Sequence, residues 1–395
     1  VYKRQDGQST MRVTSASICR KKSPRPTAIG LTPRRFGIRL SKRNFVRIAS
    51  HNMPDTRKTM SITLSVLDQS LARGADQAPQ ALQETLDMAR WCESLGYERF
   101  WVSEHHAFPS VAGSAPEVLL AAIGAATNEI RIGSGGIMLP HYSPYKVAEV
   151  FSLLANLYPD RIDLGIGRAP GADMSTAVAL STSGQPDFHR FPQQVAQLSD
   201  YLWQEDTQPI VSPKPPAGLP IWMLGSSADS AILAAQRGLP YTLGLFINPQ
   251  ADPRLIELYK RNFQPSELQP EPYAILAFSV FCADSQEHAH AQQLTHDLNL
   301  FRFFTGQSNG LSLTPEEAID YPLGVQERTF IASRDNSRAT GTPAQVRERV
   351  EELAALFHAD EVMAVTNMYY FEDRKRSFEL LMSAFADDRQ KTRVG

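Results

Sequence analysis

The chain has 395 residues, of which 42% are hydrophobic and 21% charged, and its formal net charge is −2. This composition indicates a folded globular protein and argues against a disordered or fibrous chain. Since no run of about 18 apolar residues occurs, no membrane-spanning helix is predicted. Cys19, Cys92 and Cys282 have no paired spacing, which argues against a disulfide framework or a thiolate zinc site and favours a reducing, cytoplasmic compartment.

The charge is divided unevenly along the chain. Residues 1–58 carry 15 Lys+Arg and 2 Asp+Glu, whereas residues 59–395 carry 25 and 40, so the two parts have net charges of +13 and −15. The first part lacks an apolar stripe and contains Pro24, Pro26 and Pro33, which predicts a disordered extension. Its basic composition suits nucleic acid, an anionic membrane or an organellar transit peptide. The acidic remainder argues against a nucleic-acid partner.

A strand pattern begins directly after Met60. We therefore expect the folded domain to occupy residues 59–395. An equally good explanation of residues 1–58 is that the gene model extends upstream of the true start codon.

From Met60 onward, short apolar runs alternate with amphipathic stretches, which is the βα pattern of a parallel sheet. The eight predicted strands are Ile62–Leu67, Arg99–Ser103, Ile130–Ser134, Ile162–Ile166, Ile221–Leu224, Tyr241–Leu245, Ala274–Phe281 and Glu361–Val365. The clearest helices between them are Pro79–Leu95, Pro116–Thr127, Pro144–Leu157, Ala228–Arg237 and Pro253–Phe263. Eight such strands favour an α/β fold of the (β/α)8 TIM barrel type, with insertions at the C-terminal mouth. An open doubly wound sheet is the alternative.

Two long connections interrupt this alternation, at residues 169–192 and 306–340. Both are rich in Gly, Ser, Thr, Asp and Asn, and connections of this length are uncommon unless they are functional or disordered. Each lies near the mouth where barrel enzymes carry their active sites. We expect functional loops there, with unstructured surface loops as the alternative.

The second predicted strand ends in Glu104, His105 and His106. Residues at the C-terminal end of a barrel strand face the mouth, and histidine exchanges protons near neutral pH. Both histidines are therefore candidate catalytic residues. Adjacent residues of an extended chain point to opposite faces, so a shared metal ion is disfavoured. A hydrogen-bonded structural role is the alternative.

The third strand contains three glycines in the run 133–138, with the sequence GSGGIM. Glycine within a strand marks a bulge or a main chain that another group approaches closely, such as a flat ring. The spacing differs from the dinucleotide-binding fingerprint, which argues against a Rossmann fold.

The fifth strand leads into Gly225, Ser226 and Ser227 before a helix. Free backbone N–H groups, hydroxyl donors and the positive end of a helix suit a phosphate group. Ordinary N-capping by Ser226 or Ser227 is the alternative. Arg168, directly after the fourth strand, could add a charged contact to the phosphate. No nucleophile elbow of the Gly-x-Ser-x-Gly type occurs.

Taken together, these motifs resemble the bacterial luciferase-like flavin monooxygenases. Residues 67–70 (LDQS) on the first strand most resemble the non-luminous branch. The resemblance covers Met60 to about Phe385 and rests on the order and spacing of five segments. They are residues 104–106 (EHH), 133–140 (GSGGIMLP), 161–168 (RIDLGIGR), 225–227 (GSS) and 341–343 (GTP).

The resemblance implies a barrel that binds reduced FMN at its mouth and uses molecular oxygen to oxygenate a small organic substrate. It places His105 beside the flavin ring, to stabilise or protonate the oxygenated flavin, with His106 orienting it. The bulge at Gly135-Gly136, often a cis peptide, would lie behind the ring. The further implied cofactor-binding residues are Ser134, Met138, Arg168, Gly225, Ser226, Ser227 and Ser230, with Arg190 as a weaker candidate.

The resemblance also implies partners and leaves two alternatives open. Reduced FMN generally comes from a separate flavin reductase, and relatives are often homodimers through the helices that flank strands two and three. A deazaflavin-dependent hydride-transfer oxidoreductase on the same barrel is one alternative. A non-catalytic flavin-binding relative is the other, and His105 argues against it.

Overall fold

A computed structural model describes residues 62–168, 171–181, 184–308 and 310–386; the predicted basic extension lies outside these residues. Ten parallel strands form one sheet. They are β1 Thr63–Asp68, β2 Arg99–Val102, β3 Arg131–Ser134, β4 Ile137–Met138, β5 Ile162–Gly167, β6 Ile221–Gly225, β7 Tyr241–Gly244, β8 Ala274–Cys282, β9 Arg338–Gly341 and β10 Glu361–Val365.

The sheet closes into a barrel. Strands β1, β2, β3, β5, β6, β7 and β8 follow one another, and β10 pairs with both β8 and β1. These eight strands are the eight that the sequence predicts, with ends that differ by at most one residue. The (β/α)8 prediction is confirmed, and the open doubly wound sheet is wrong because β10 joins the first and last of these strands into a ring.

Helices connect the strands on the outside of the barrel. The helices are α1 Ala78–Leu95, α2 Pro116–Ala126, α3 Pro144–Leu157, α4 Met174–Leu180, α5 Phe191–Trp203, α6 Ala228–Gln236, α7 Arg254–Asn262, α8 Gln286–Phe304, α9 Pro315–Ile319, α10 Val325–Ser333, α11 Pro343–Phe357 and α12 Phe371–Ala384. Several begin with proline in the first turn, where its missing N–H costs no hydrogen bond. No described helix is long and apolar enough to cross a membrane.

The two long connections are not unstructured loops. The first contains α4, whose N-cap Asp173 accepts a hydrogen bond from the Thr176 N–H. The second contains α9, which a capping box between Thr314 and Glu317 begins, as well as α10 and β9. Strand β9 forms because β8 is nine residues long and continues beyond its pairing with β10. The expectation of loops is therefore wrong for much of both segments.

Apolar side chains form two packed regions. The larger lies between the barrel and its helices and includes Leu64, Phe151 and Leu276. The smaller fills the barrel interior with Leu67, Trp101, Trp222, Ile275, Ala277, Met363 and Val365. The interior is therefore packed, and a ligand has access only at the ends of the strands.

Candidate active site

Glu104 is a buried carboxylate directly beyond β2 that binds three groups at the barrel mouth. One of its oxygens accepts hydrogen bonds from His106 Nε2 at 2.8 Å and Tyr142 Oη at 2.9 Å. The other accepts the backbone N–H of Met138 at 2.9 Å. Bonds to a charged acceptor are roughly twice as strong as neutral ones, so Glu104 fixes β4 and His106 relative to β2.

His105 and His106 therefore have separate surroundings, as predicted for adjacent residues of an extended chain. His106 is held by Glu104, which is consistent with a positioning role. His105 lines a cavity at the mouth, and its Nε2 lies 3.1 Å from Gln69 Nε2. Burial lowers the pKa of His105 to about 4, against the opposing effect of Glu104, so the ring is neutral at pH 7.

A chain of two amides orients the His105 ring. Asn367 Nδ2 donates to Gln69 Oε1 at 2.6 Å, which turns the Gln69 amide nitrogen toward His105. An amide nitrogen can only donate, so His105 Nε2 accepts and the ring proton lies on Nδ1. That Nδ1 is buried and has no hydrogen-bond partner among the described residues. A buried donor without a partner costs about 1–3 kcal/mol.

The predicted glycine bulge lies between β3 and β4. The Gly135-Gly136 peptide bond is cis, as the resemblance implies. A Cβ atom on Gly135 would lie 2.6 Å from Leu67 Cδ1, and one on Gly136 would lie 2.2 Å from Leu224 Cδ1. The Cβ atom on Gly136 would also lie 2.8 Å from the Gly165 carbonyl oxygen, so the main chain of β5 requires glycine at that position.

Two residues beside this bulge, Ser134 and Met138, make contacts with other parts of the protein. Ser134 Oγ is buried and donates to the Gly165 carbonyl at 2.8 Å, so its proton is not available to a cofactor. The Met138 side chain packs against Gly167, where a Cβ atom would lie 2.9 Å from its Cε. Of the two, only Met138 remains a candidate for contact with a cofactor ring.

The serine turn after β6 is a capping box. Ser227 is the N-cap of α6, and its backbone N–H donates to Ser230 Oγ at 3.3 Å, while Ser230 Oγ donates to the Ser227 carbonyl at 2.8 Å. Gly225 has no room for a side chain, because a Cβ atom would lie 2.1 Å from Ser230 Oγ. Ser226 contributes its carbonyl to Asn248. N-capping, the structural alternative, is therefore present, and both serines still lie at the positive end of α6.

Arg168 follows β5, which is the strand beside β6. The register pairs Ile166 with Met223, so two residues further along the two chains Arg168 and Gly225 lie at the same level of the mouth. Arg168 is exposed, and no described residue pairs with its guanidinium. Arg190, the weaker candidate, is exposed directly before α5. Arg168 and the serine turn thus lie at the ends of the neighbouring strands β5 and β6.

The cavity at the mouth encloses about 380 Å³. Its wall is largely aromatic and aliphatic, and Phe108 and Phe303 stack within it with ring centroids 4.5 Å apart. The polar groups at its surface include Gln69, His105 and Asn367 at one side, and His296 and Arg334 at another. A small volume with an apolar wall and few polar groups is typical of a site for a small organic molecule.

Most of these cavity residues were not identified from the sequence. Gln69 and Asn367 are 298 positions apart, and no local pattern indicates that they meet. His296 and Arg334 lie on α8 and directly after α10, beyond the motifs. Gln69 belongs to the segment 67–70 directly after β1, but nothing in that segment indicates its contact with Asn367. Within the described ranges, no three His, Cys, Asp or Glu side chains are grouped to hold a metal ion.

Residues 62–359 match the family model described as Luciferase-like monooxygenase. The chain belongs to this family. It is 41% identical over 343 residues to YwcH of Bacillus subtilis (strain 168), covering 82% of this chain and all of that protein. It is 34% identical to the N-acetyl-S-alkylcysteine monooxygenase of the same organism, covering 82% and 98% of the two chains. The crystal structure of apo-MsnO8 is 37% identical, with a TM-score of 0.76 over 83% of this chain and 98% of that one. The chain is thus an oxidoreductase of a monooxygenase family.

Two more distant structures share only the fold. One is the oxygenating constituent of 3,6-diketocamphane monooxygenase of Pseudomonas putida in complex with FMN, 19% identical with a TM-score of 0.60 over 83% of this chain and 99% of that one. The other is an F420-dependent secondary alcohol dehydrogenase, 14% identical with a TM-score of 0.59 over 82% and 99% of the two chains. The same barrel thus carries both kinds of cofactor.

Proposed function

We propose that this family member is an FMN-dependent monooxygenase that inserts one oxygen atom of O2 into a small organic substrate. The observation that carries the proposal is the neutral His105, which lines the cavity and has a buried Nδ1 without a partner. A histidine with a free position and a fixed ring is suited to help in proton transfer to a reacting group. The family membership supplies the reaction class.

The residues of the mouth fit a flavin mononucleotide. Arg168, Ser227, Ser230 and the N-terminus of α6 would hold the phosphate, and the main chain at 135–136 would border the ring. When bound, reduced FMN supplies the two electrons with which one oxygen atom enters the substrate and the other leaves as water. Fixed donors at neighbouring strand ends would thus orient the cofactor before it reacts.

The residues around His105 serve three purposes in this proposal. Gln69 keeps Nε2 as an acceptor, so the Nδ1 proton is the one that His105 offers. Burial keeps the ring neutral at pH 7 because it lowers the His105 pKa to about 4. The stacked rings of Phe108 and Phe303 give the cavity an apolar wall, and polar contacts are stronger in such surroundings than in water.

A cofactor titration separates this function from its alternatives. Oxidised FMN and F420 are added separately to the full chain, and the unfolding temperature is followed; a ligand at about 100 times its Kd stabilises the folded state by about 2.7 kcal/mol. We expect FMN alone to stabilise the protein. Stabilisation by F420 alone would identify the hydride-transfer enzyme and overturn the proposal.

A second measurement addresses turnover. The FMN-loaded protein is supplied with reduced FMN and ¹⁸O2 in the presence of thioether and ketone substrates, and products are analysed by mass spectrometry. We expect incorporation of one labelled oxygen atom. FMN binding without oxygenation of any substrate would favour the non-catalytic relative.

We also propose a separate flavin reductase as the source of reduced FMN, and a homodimer in the cytoplasm. The helices α2 and α3 flank β2 and β3 on the outside, and they expose the apolar side chains of Val118 (66%), Leu153 (51%) and Leu157 (56%). A contiguous patch of such side chains would suit a surface that another protein covers. Light scattering with a Leu153→Glu variant tests this surface, since the variant should be monomeric.

A further inference from the structure

We propose that the substrate carries a carboxylate on an apolar body and that Arg334 binds this carboxylate. The proposal rests on the proposed function, because it assigns the substrate class of the same cavity. Arg334 lies directly after α10 and lines the cavity that His105 also lines. A substrate anchored at Arg334 would extend along the aromatic wall toward His105.

The guanidinium of Arg334 is buried but only partly bound. The residue is 7% exposed, and its Nη2 donates to the Phe246 carbonyl at 3.0 Å. Its Nε lies 3.5 Å from Asp297 Oδ1, an ion pair without a hydrogen bond. No described residue accepts a hydrogen bond from Nη1. Because a guanidinium has five N–H donors in a planar fork, Arg334 retains the geometry that matches a carboxylate.

The charges around Arg334 leave an excess of positive charge at the cavity. Asp297 is buried, and its principal partner is Arg338, which also binds Asp335. Two buried arginines thus share one buried carboxylate, while the Asp335 side chain is 65% exposed to solvent. Since unpaired buried charge is costly, an anionic ligand would stabilise this arrangement.

The other ionisable groups at the cavity do not supply the missing negative charge. Burial and the charges of Arg334 and Arg338 lower the pKa of His296 to about 3, so this ring is neutral at pH 7. His105 is neutral for the reason given above. Arg73 also lines the cavity, but its guanidinium already binds Glu84 at 2.7 Å and the Tyr369 carbonyl. Arg334 is therefore the cation with capacity for a ligand.

The position of Arg334 separates it from the predicted phosphate site. Arg334 precedes β9, which pairs with β8, whereas Arg168 and Ser227 follow β5 and β6. The Arg334 guanidinium binds the Phe246 carbonyl beyond β7, so the two sites lie at different strand ends. The wall between Arg334 and His105 includes Phe108, Leu300 and Phe303. This apolar surface suits an aryl or alkyl body rather than the sugar chain of a cofactor.

The test compares an acid with its neutral isostere. Binding of 4-phenylbutyrate and 4-phenylbutyramide to the full chain is measured by calorimetry, for the wild type and for Arg334→Met, Arg334→Lys and Arg328→Met. Arg328 is an exposed arginine of α10 and serves as the matched control. We expect the wild type and Arg328→Met to bind the acid at least about tenfold more tightly than the amide, as hydrogen bonds to a charged group allow.

Arg334→Met should bind both compounds equally, and Arg334→Lys should retain part of the preference. Equal binding by the wild type, no detectable binding of the acid, or a preference that survives in Arg334→Met would each overturn the proposal. FMN affinity is measured on the same samples. We expect it to be unchanged in Arg334→Met; a loss would show that Arg334 holds the cofactor phosphate instead, which also overturns the proposal. A wild type that prefers the acid but does not bind FMN would refute the proposed function alone.

Discussion

The buried charges at the two ends of the barrel differ in how completely they are paired. At the N-terminal end, Arg99 binds Glu361 through two hydrogen bonds of 2.8 and 3.0 Å and Asp163 through one of 2.9 Å. Arg131 and Trp101 complete the coordination of Asp163. Burial opposes ionisation of Asp163, but the charges of Arg99 and Arg131 outweigh it and lower its pKa.

At the C-terminal end, by contrast, several buried polar groups lack hydrogen-bond partners. His105 Nδ1, Ser103 Oγ and Asp297 Oδ1 have no hydrogen-bond partner among the described residues, and Arg334 is only partly bound. Paired charges rigidify a structure, whereas unpaired ones cost stability unless a ligand binds them. The N-terminal end therefore maintains the fold, and the C-terminal end is prepared for a ligand.

The largest effect is expected for His105→Ala at the mouth. General acid–base help is worth about 10²–10⁴-fold, so product formation should fall by that factor while FMN affinity is unchanged. The variant should consume oxygen and release hydrogen peroxide, which a coupled peroxidase assay measures. His290→Ala, on the exposed surface of α8, is the control. Wild-type product yield in His105→Ala would leave His105 a structural residue.

Arg99→Leu should destabilise the protein at the N-terminal end of the barrel. It leaves the buried carboxylate of Glu361 without its cation, and losing one partner of a buried ion pair costs about 3–5 kcal/mol. Urea denaturation should show this loss, while the folded fraction binds FMN normally. Arg254→Met removes the exposed pair with Asp252 and should leave the midpoint unchanged. If Arg99→Leu lowered the FMN affinity without lowering the stability, the N-terminal end would bind the ligand and would not maintain the fold.

The stability of the mouth should depend on pH through its neutral histidines. The unfolded pKa of histidine is about 6.5, whereas burial lowers the folded pKa of His105 to about 4 and that of His296 to about 3. Below pH 6.5 the unfolded chain gains protons that the folded chain does not, so stability falls with falling pH by about 1.4 kcal/mol per unit for each histidine. His105→Gln should remove one such contribution between about pH 4 and pH 6.5. An unchanged slope in urea titrations would contradict the low pKa.

The serine turn should affect the cofactor more than the fold. In Ser227→Ala/Ser230→Ala we expect FMN affinity to fall by about tenfold or more, because a hydrogen bond to a charged group contributes about 1.5–3 kcal/mol. Fluorescence quenching of FMN measures it. Thr314→Ala removes the capping box of α9 and should lower stability without affecting FMN. If the double variant and the wild type bound FMN with equal affinity, the serine turn would serve only as the cap of α6.

The smallest effect concerns the proton on His105. Gln69→Glu replaces the amide donor with a carboxylate, which should move the ring proton to Nε2 and raise the His105 pKa by about one unit or more. Nitrogen-15 spectra of histidine-labelled protein distinguish the two tautomers, and Gln193→Glu on the exposed face of α5 is the control. An Nε2 proton already present in the wild type would mean that both amides point the other way.

The sequence predicts the barrel well because its signals are local. Each of the eight strands is a short apolar run, and Pro116 and Pro144 mark helix starts where proline is favoured. Strand β9 escaped prediction because its residues, RATG, have no apolar alternation. It exists only because the long strand β8 offers unpaired backbone groups. The prediction therefore fails where a distant partner, and not the local sequence, decides the structure.

The same distinction applies to the site. His105, Arg168 and the serine turn are recognisable because each follows a strand in a short motif. Gln69, Asn367 and Arg334 come from segments that are distant in sequence and meet only in the closed barrel. Ser134 was assigned to the cofactor because it belongs to the glycine motif, but its hydroxyl is bound to the Gly165 carbonyl. Motifs thus locate strand ends, but the direction of a side chain depends on its neighbours.

The extension of β8 beyond the barrel has a consequence for how this protein could be altered. Strand β8 pairs with β10 from Ile275 to Ser279 and with β9 from Ser279 to Cys282, so the segment 305–341 attaches to a part of the strand that barrel closure does not use. The segment contributes Arg334 and Leu311 to the cavity but no strand to the barrel. A chimera that carries this segment from a relative should therefore fold as the parent does and inherit the donor's choice of substrate.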